Sequence, residues 1–242
     1  MGHIPKSRNN LWLVGITKDK RATIQTQVAC GVVAAPLFIA AFTAIGAKRP
    51  GYDWRRDPVS SLGIGEHGFP QRANFGLAGV LYLFAALGLR QCPRRNVGPR
   101  AVPALVAAAG VGLIGSGLFV TDPVDGFPPV IPGEDGPTSS IPPTTREGKL
   151  HKLFAIPIFA GLPVAALASA FGAPRRGNVR WGAYSAFSAI AMVASIVAFG
   201  AAFGPESRLA GRGGVFQRIS IASGFGWLTA LSLRALSSLR HS

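Results

Sequence analysis

Asp122 and His151 are the residues of this chain best suited to moving a proton. A carboxylate and an imidazole within hydrogen-bond reach can act as an acid–base pair, and Ser60 would then serve as nucleophile or binder. A second reading uses the basic side chains. The forked guanidinium groups of Arg55, Arg56 and Arg218 match the oxygens of a phosphate or carboxylate headgroup. Ser61, Asn74 and Gln217 would add neutral hydrogen bonds to such a ligand. Each residue also has a plainer role. Asp57-Pro58 has the form of a helix N-cap followed by the first helical residue. Ser60 and Ser61 can bond to their own backbone. No metal is expected, because Glu66, His67, Asp122 and His151 follow no ligand-spacing motif. Cys30 and Cys92 form no CxxC, and no cofactor is expected.

These residues sit in the gaps between apolar stretches. The chain has 242 residues, a net charge of +15 and a mean hydropathy of +0.33. Six stretches carry no charge: Val28–Gly46, Ala73–Leu89, Ala101–Val120, Leu153–Ala173, Trp181–Phe203 and Ile219–Leu233. Most approach the roughly 20 apolar residues needed to cross a bilayer. The expected fold is an all-α membrane protein: a six-transmembrane-helix bundle with a short interfacial helix, Pro58 to about Ile64, in the first outer loop. The expected organisation is a basic tail (1–26), one transmembrane domain (27–236) and a short C-terminal tail (237–242). Pro36, Pro103, Pro157 and Pro163 are candidate kinks. Gly110, Gly112, Gly115 and Gly117 let the third span approach a neighbour closely.

Six spans put both termini on one side. That side carries 14 Lys and Arg against 11 on the other. The positive-inside rule therefore predicts a multi-pass protein of the cell membrane with cytoplasmic termini. Asp19 is the only acid on the terminus side; the other nine fall in the opposite loops. The basic inner face suits anionic lipid headgroups. The high charge follows from topology, and no aromatic-interleaved basic module suggests nucleic acid as a partner. No Asp, Glu, Lys, Arg or His lies in the interior of a span, which argues against a proton-driven carrier. It also argues against a haem held by facing histidines.

Helix ends bring the polar groups to one level. Asn74, Asp122, His151, Gln217 and Arg218 are all expected near the outer ends of their spans. They either line one mouth, with the loop Arg49–Phe75 as its cover, or point separately at water. Trp54 and Tyr52 are expected as interface anchors.

The motifs in these loops resemble a known family. The pieces are Pro36-Leu37-Phe38, Arg49-Pro-Gly-Tyr-Asp53, Pro58-Val-Ser-Ser-Leu-Gly63, Gln71, Asn74-Phe75 and Gly79. Phe119-Val-Thr-Asp-Pro123, Gly126, Gly148-Lys-Leu-His151 and Gly214-Val-Phe-Gln-Arg218 follow. Together they resemble the family called domain of unknown function 998, over roughly Val28 to Leu233. The resemblance implies a six-helix bacterial or archaeal integral membrane protein with no assigned activity. That family often has His before the Pro-Val-Ser piece, where this chain has Asp57. Three functions compete. The leading one is binding of a lipid or other amphipathic small molecule at an extracytoplasmic polar mouth. The others are a membrane enzyme acting on a lipid-like substrate through Asp122 and His151, and a structural or accessory subunit. The lipid bilayer is the expected partner; the sequence names no protein partner.

Overall fold

The computed structural model describes residues 17–124, 127–128, 144–174, 177–204 and 206–240. The bundle is built from α1 (Lys18–Lys48), α2 (Phe69–Gln91), the single turn α3 (Arg94–Val97), α4 (Ala101–Leu118), α5 (Arg146–Ile156), α6 (Leu162–Phe171), α7 (Val179–Ala201) and α8 (Gly213–Arg240). A π-helical turn, Pro157–Gly161, joins α5 to α6, so these form one span. Six helical segments are long and apolar enough to cross a membrane. The protein is a multi-pass integral membrane bundle. Its surface is inverted accordingly: Leu37, Phe84, Phe187, Ile190 and Val197 are exposed along the spans.

The spans follow one another around a closed ring. In chain order α1, α2, α4, α5–α6, α7 and α8 each pack on the next, and α8 returns to α1. The ring is filled by aromatics. Phe225 of α8 meets Phe38 of α1 and Tyr82 of α2 at ring separations of 5.4 and 5.1 Å. Small residues let the helices touch. A Cβ placed on Gly79 of α2 would lie 2.5 Å from the Gly110 carbonyl oxygen of α4. Lipid offers no hydrophobic drive between helices, so such close packing and interhelical hydrogen bonds hold them together. Trp227 donates to Ser185 at 3.0 Å, and Trp181 to Ser169 at 2.9 Å.

Several expectations change in detail. α1 begins at Lys18 and α8 runs to Arg240, so both helices extend through segments expected as tails. Thr17 caps α1 by accepting from the Lys20 N–H. At the other end of the chain, Arg21 donates to the Leu239 carbonyl. Of the four prolines, Pro157 opens the π-helical turn. Proline removes a backbone donor, and such a ladder defect is where helices change pitch. The short helix of the first outer loop is a 3-10 turn, Val59–Gly63. Asp57 does not cap it: Pro58 is its N-cap, without a side-chain hydrogen bond.

Candidate functional site

The loop between α1 and α2, expected as the first outer loop, is fastened to the start of α8. Helix N-termini leave backbone donors without partners. Here Gly214 N–H donates to Arg56 O and Val215 N–H to Arg55 O, at 2.9 and 3.0 Å. The loop lies so close that a Cβ on Gly214 would sit 2.5 Å from the Trp54 and Asp57 carbonyl oxygens. One turn on, Arg218 clamps the loop. Its Nη1 donates to Trp54 O (2.7 Å), Asp57 O (3.1 Å) and Gly214 O (3.0 Å). Its Nη2 donates to the Tyr52 hydroxyl. Gln217 completes the fastening by accepting from the Val59 N–H at 2.6 Å. Asp57 is 1% exposed and holds the loop's own turn. Its carboxylate accepts from the Asp53 N–H and the Arg56 Nε, each at 2.7 Å.

Beneath this loop a cavity of about 510 Å³ opens between α1 and α8. Its walls are apolar: Ile39, Phe42 and Ala47 from α1, Ile221 and Ala222 from α8. Its outer end is polar, formed by Arg49, Tyr52 and Arg218. The Arg218 guanidinium lies over the rings of Phe42 and Tyr52, 5.6 and 5.7 Å from their centroids. Arg49 donates through Nη2 to Ile64 O at 2.7 Å and lies over the Phe127 ring at 5.7 Å, while its buried Nη1 has no hydrogen-bond partner among the described residues. Among the described residues the one ion pair is Arg56–Asp57. Among the described residues neither guanidinium at the cavity end has a carboxylate partner. Burial pushes the Tyr52 phenol above its ordinary pKa, with the Arg218 charge opposing. Tyr52 is thus a neutral hydroxyl at physiological pH.

A second polar cluster joins α4 to α5. Asp122 Oδ1 accepts from the Thr145 hydroxyl and N–H at 2.6 and 3.2 Å, and Thr145 caps α5 through the Gly148 N–H. His151 Nδ1 lies 2.9 Å from Phe119 O. With Nδ1–H donating to that carbonyl, Nε2 is the ring's acceptor. His151, Ser60, Ser116 and Gln217 share the wall of an internal cavity of about 20 Å³. That is room for about one water molecule. Among the described residues no hydrogen bond joins Asp122 to His151, and Asp122 Oδ2 is buried without a hydrogen-bond partner.

The family model described as "Protein of unknown function (DUF998)" matches residues 32–234. The chain belongs to the DUF998 family. No curated protein and no solved structure matches it.

The DUF998 bundle separates residues that one outer level had grouped. Arg218 lines the α1–α8 cavity. His151, Gln217 and Ser60 meet at the small internal one. Asn74 instead ties α2 to α1, donating to Phe38 O at 3.1 Å. Asp122 faces Thr145 and Gly148, with no room for a Cβ on Gly148. Arg55 lies over the Trp54 ring at 4.9 Å, Arg56 pairs with Asp57, and Ser61 is fully buried. None of these five lines the α1–α8 cavity. Sequence reasoning left out Arg49 and took Tyr52 only as an interface anchor. Both stand in the Arg49-Pro-Gly-Tyr-Asp53 motif. That motif was the available signal. Among the described residues no three His, Cys, Asp or Glu side chains cluster as a metal site.

Proposed function

We propose that this DUF998 protein binds an amphipathic lipid between α1 and α8, beneath its first outer loop. The observation that carries the reading is the 510 Å³ cavity with apolar walls and an Arg49–Tyr52–Arg218 end. Ligand pockets of this size are mostly apolar with a few convergent polar groups. An acyl chain would follow Ile39, Phe42, Ile221 and Ala222. The headgroup would meet Arg218, the free Nη1 of Arg49 and the Tyr52 hydroxyl. Of the ligand-binding residues expected from sequence, Arg218 would touch the lipid. Gln217, Arg56 and Asn74 would support it by holding the loop and α1 in place. The excess of Lys and Arg at the terminus end favours cytoplasmic termini in the cell membrane. The cavity then opens at the extracytoplasmic side.

The enzymatic alternative draws less support. Asp122 bonds Thr145 through Oδ1, His151 bonds Phe119, and no hydrogen bond joins the two, so a direct proton relay between them would need a rearrangement. Lipid co-purification read by native mass spectrometry tests the binding reading. Wild-type protein should retain lipid. Ala222→Trp, which fills the cavity from an exposed position on α8, should lose it. Val197→Trp, on the exposed face of α7, should not. Equal lipid content in all three would contradict the proposal.

A further inference from the structure

The end of the bundle where α1 begins and α8 ends carries a second groove. It has a volume of about 760 Å³ and lies between the last turns of α2 and the first turns of α4, with α3 across its end. Leu83 and Leu87 of α2 and Pro103 and Ala107 of α4 give it an apolar wall. Leu87 is 51% exposed, so the wall continues onto the lipid-facing surface. Arg90, Arg94 and Arg100 surround its mouth. Gln91 of α2 donates to Gln27 of α1 at 3.0 Å, which ties this end of α2 to the first turns of α1.

The three arginines have no visible structural task. Among the described residues none of them makes a side-chain hydrogen bond or an ion pair. Their neighbour Arg234 differs: it donates to Asn96 O and Arg95 O and lies over the Trp181 ring, holding α3 against α8. No acid balances them either, since Asp19 is the only Asp or Glu the sequence places at this end. Three uncompensated cations over an apolar wall at the membrane boundary form a surface of one sign. It complements a phosphate headgroup above acyl chains. Basic pockets between transmembrane helices recognise anionic phospholipids in this way.

We propose that this groove is a binding site for an anionic phospholipid. Arg90, Arg94 and Arg100 contact the phosphate, and the acyl chains lie along Leu83, Leu87 and Ala107. The site lies on the opposite membrane face from the α1–α8 cavity and is independent of it.

The experiment uses the full chain carrying Ala222→Trp, so that the outer cavity does not contribute. Native mass spectrometry compares adducts with phosphatidylglycerol, cardiolipin and phosphatidylcholine. The expected result is selective retention of the two anionic lipids. Each arginine near a membrane surface contributes roughly a fivefold change in affinity. The triple variant Arg90→Gln, Arg94→Gln, Arg100→Gln should therefore bind them on the order of 100-fold more weakly. Ala104→Trp keeps every charge and fills the groove from an exposed position, and it should also lose the adduct. Equal binding of phosphatidylcholine, or full anionic binding by the triple variant, overturns the proposal. Loss in the triple variant with none in Ala104→Trp also overturns it, because it assigns the effect to diffuse charge.

Discussion

Replacing Arg218 by Ala should release the first outer loop from α8 while leaving the spans assembled. Arg218 makes three hydrogen bonds to that loop, to Trp54 O, Asp57 O and the Tyr52 hydroxyl. A hydrogen bond to a charged group contributes about 1.5–3 kcal/mol when well buried. Arg218 is half-buried, so about 1 kcal/mol each is the better figure. The ring contacts with Phe42 and Tyr52 add about 0.5–1 kcal/mol apiece. The loss is then on the order of 4 kcal/mol. For a chain of this size that corresponds to roughly 10 °C in melting temperature. Two assays read it: thermal unfolding in detergent, and tryptic cleavage after Arg55 and Arg56. Arg218→Ala should be cut much faster than wild type and melt lower. Arg218→Lys should behave nearer to Ala than to wild type, because a single ammonium group cannot reproduce the fork. Unchanged cleavage and melting in Arg218→Ala would refute the clamp.

Two further predictions follow from the same structure. Tyr52 should titrate above its ordinary value of 10.0, because burial disfavours the phenolate. Its folded pKa is raised, so its contribution to stability is complete below pH 10 and is lost as pH rises through the folded value. Phenolate absorbance should show it; a Tyr52 that ionises below 10 contradicts this. At the α2–α4 contact, Gly79→Leu should reduce folded yield sharply, since even a Cβ there would lie 2.5 Å from the Gly110 oxygen. Overpacking of this kind costs typically 1–3 kcal/mol, and an unchanged melting temperature would show that the helices can part.

The spans were legible because their charges are confined to the gaps: a helix that must shed every ionisable group into its ends announces its length. Their exact ends were less legible. Lys18–Gln27 is polar yet continues α1, since Thr17 caps it and nothing in the segment breaks a helix. That Asn74, His151, Gln217 and Arg218 stand near helix ends was also legible, but the rotation of each helix was not. Asn74 and Arg218 stand at the outer ends of different helices, and which neighbour each faces depends on the phase of packing around the ring. That is why Asn74 bonds to Phe38 while Arg218 turns toward Tyr52. Asp57 shows a third gap. Asp-Pro before a short helix has the form of a cap, yet the carboxylate turns back to the Asp53 N–H. The carboxylate's partners, the Asp53 N–H and Arg56 Nε, are local, while the Asp57 carbonyl is held by Arg218 from some 160 residues away.

The central claim is that the cavity between α1 and α8 holds a lipid. The most direct measurement is an experimental structure of the full chain in lipid nanodiscs. Density should run between Ile39, Phe42, Ile221 and Ala222, with a headgroup within hydrogen-bond distance of Arg49 and Arg218. An empty cavity, with ordered lipid only on the outer surface of the bundle, would contradict it.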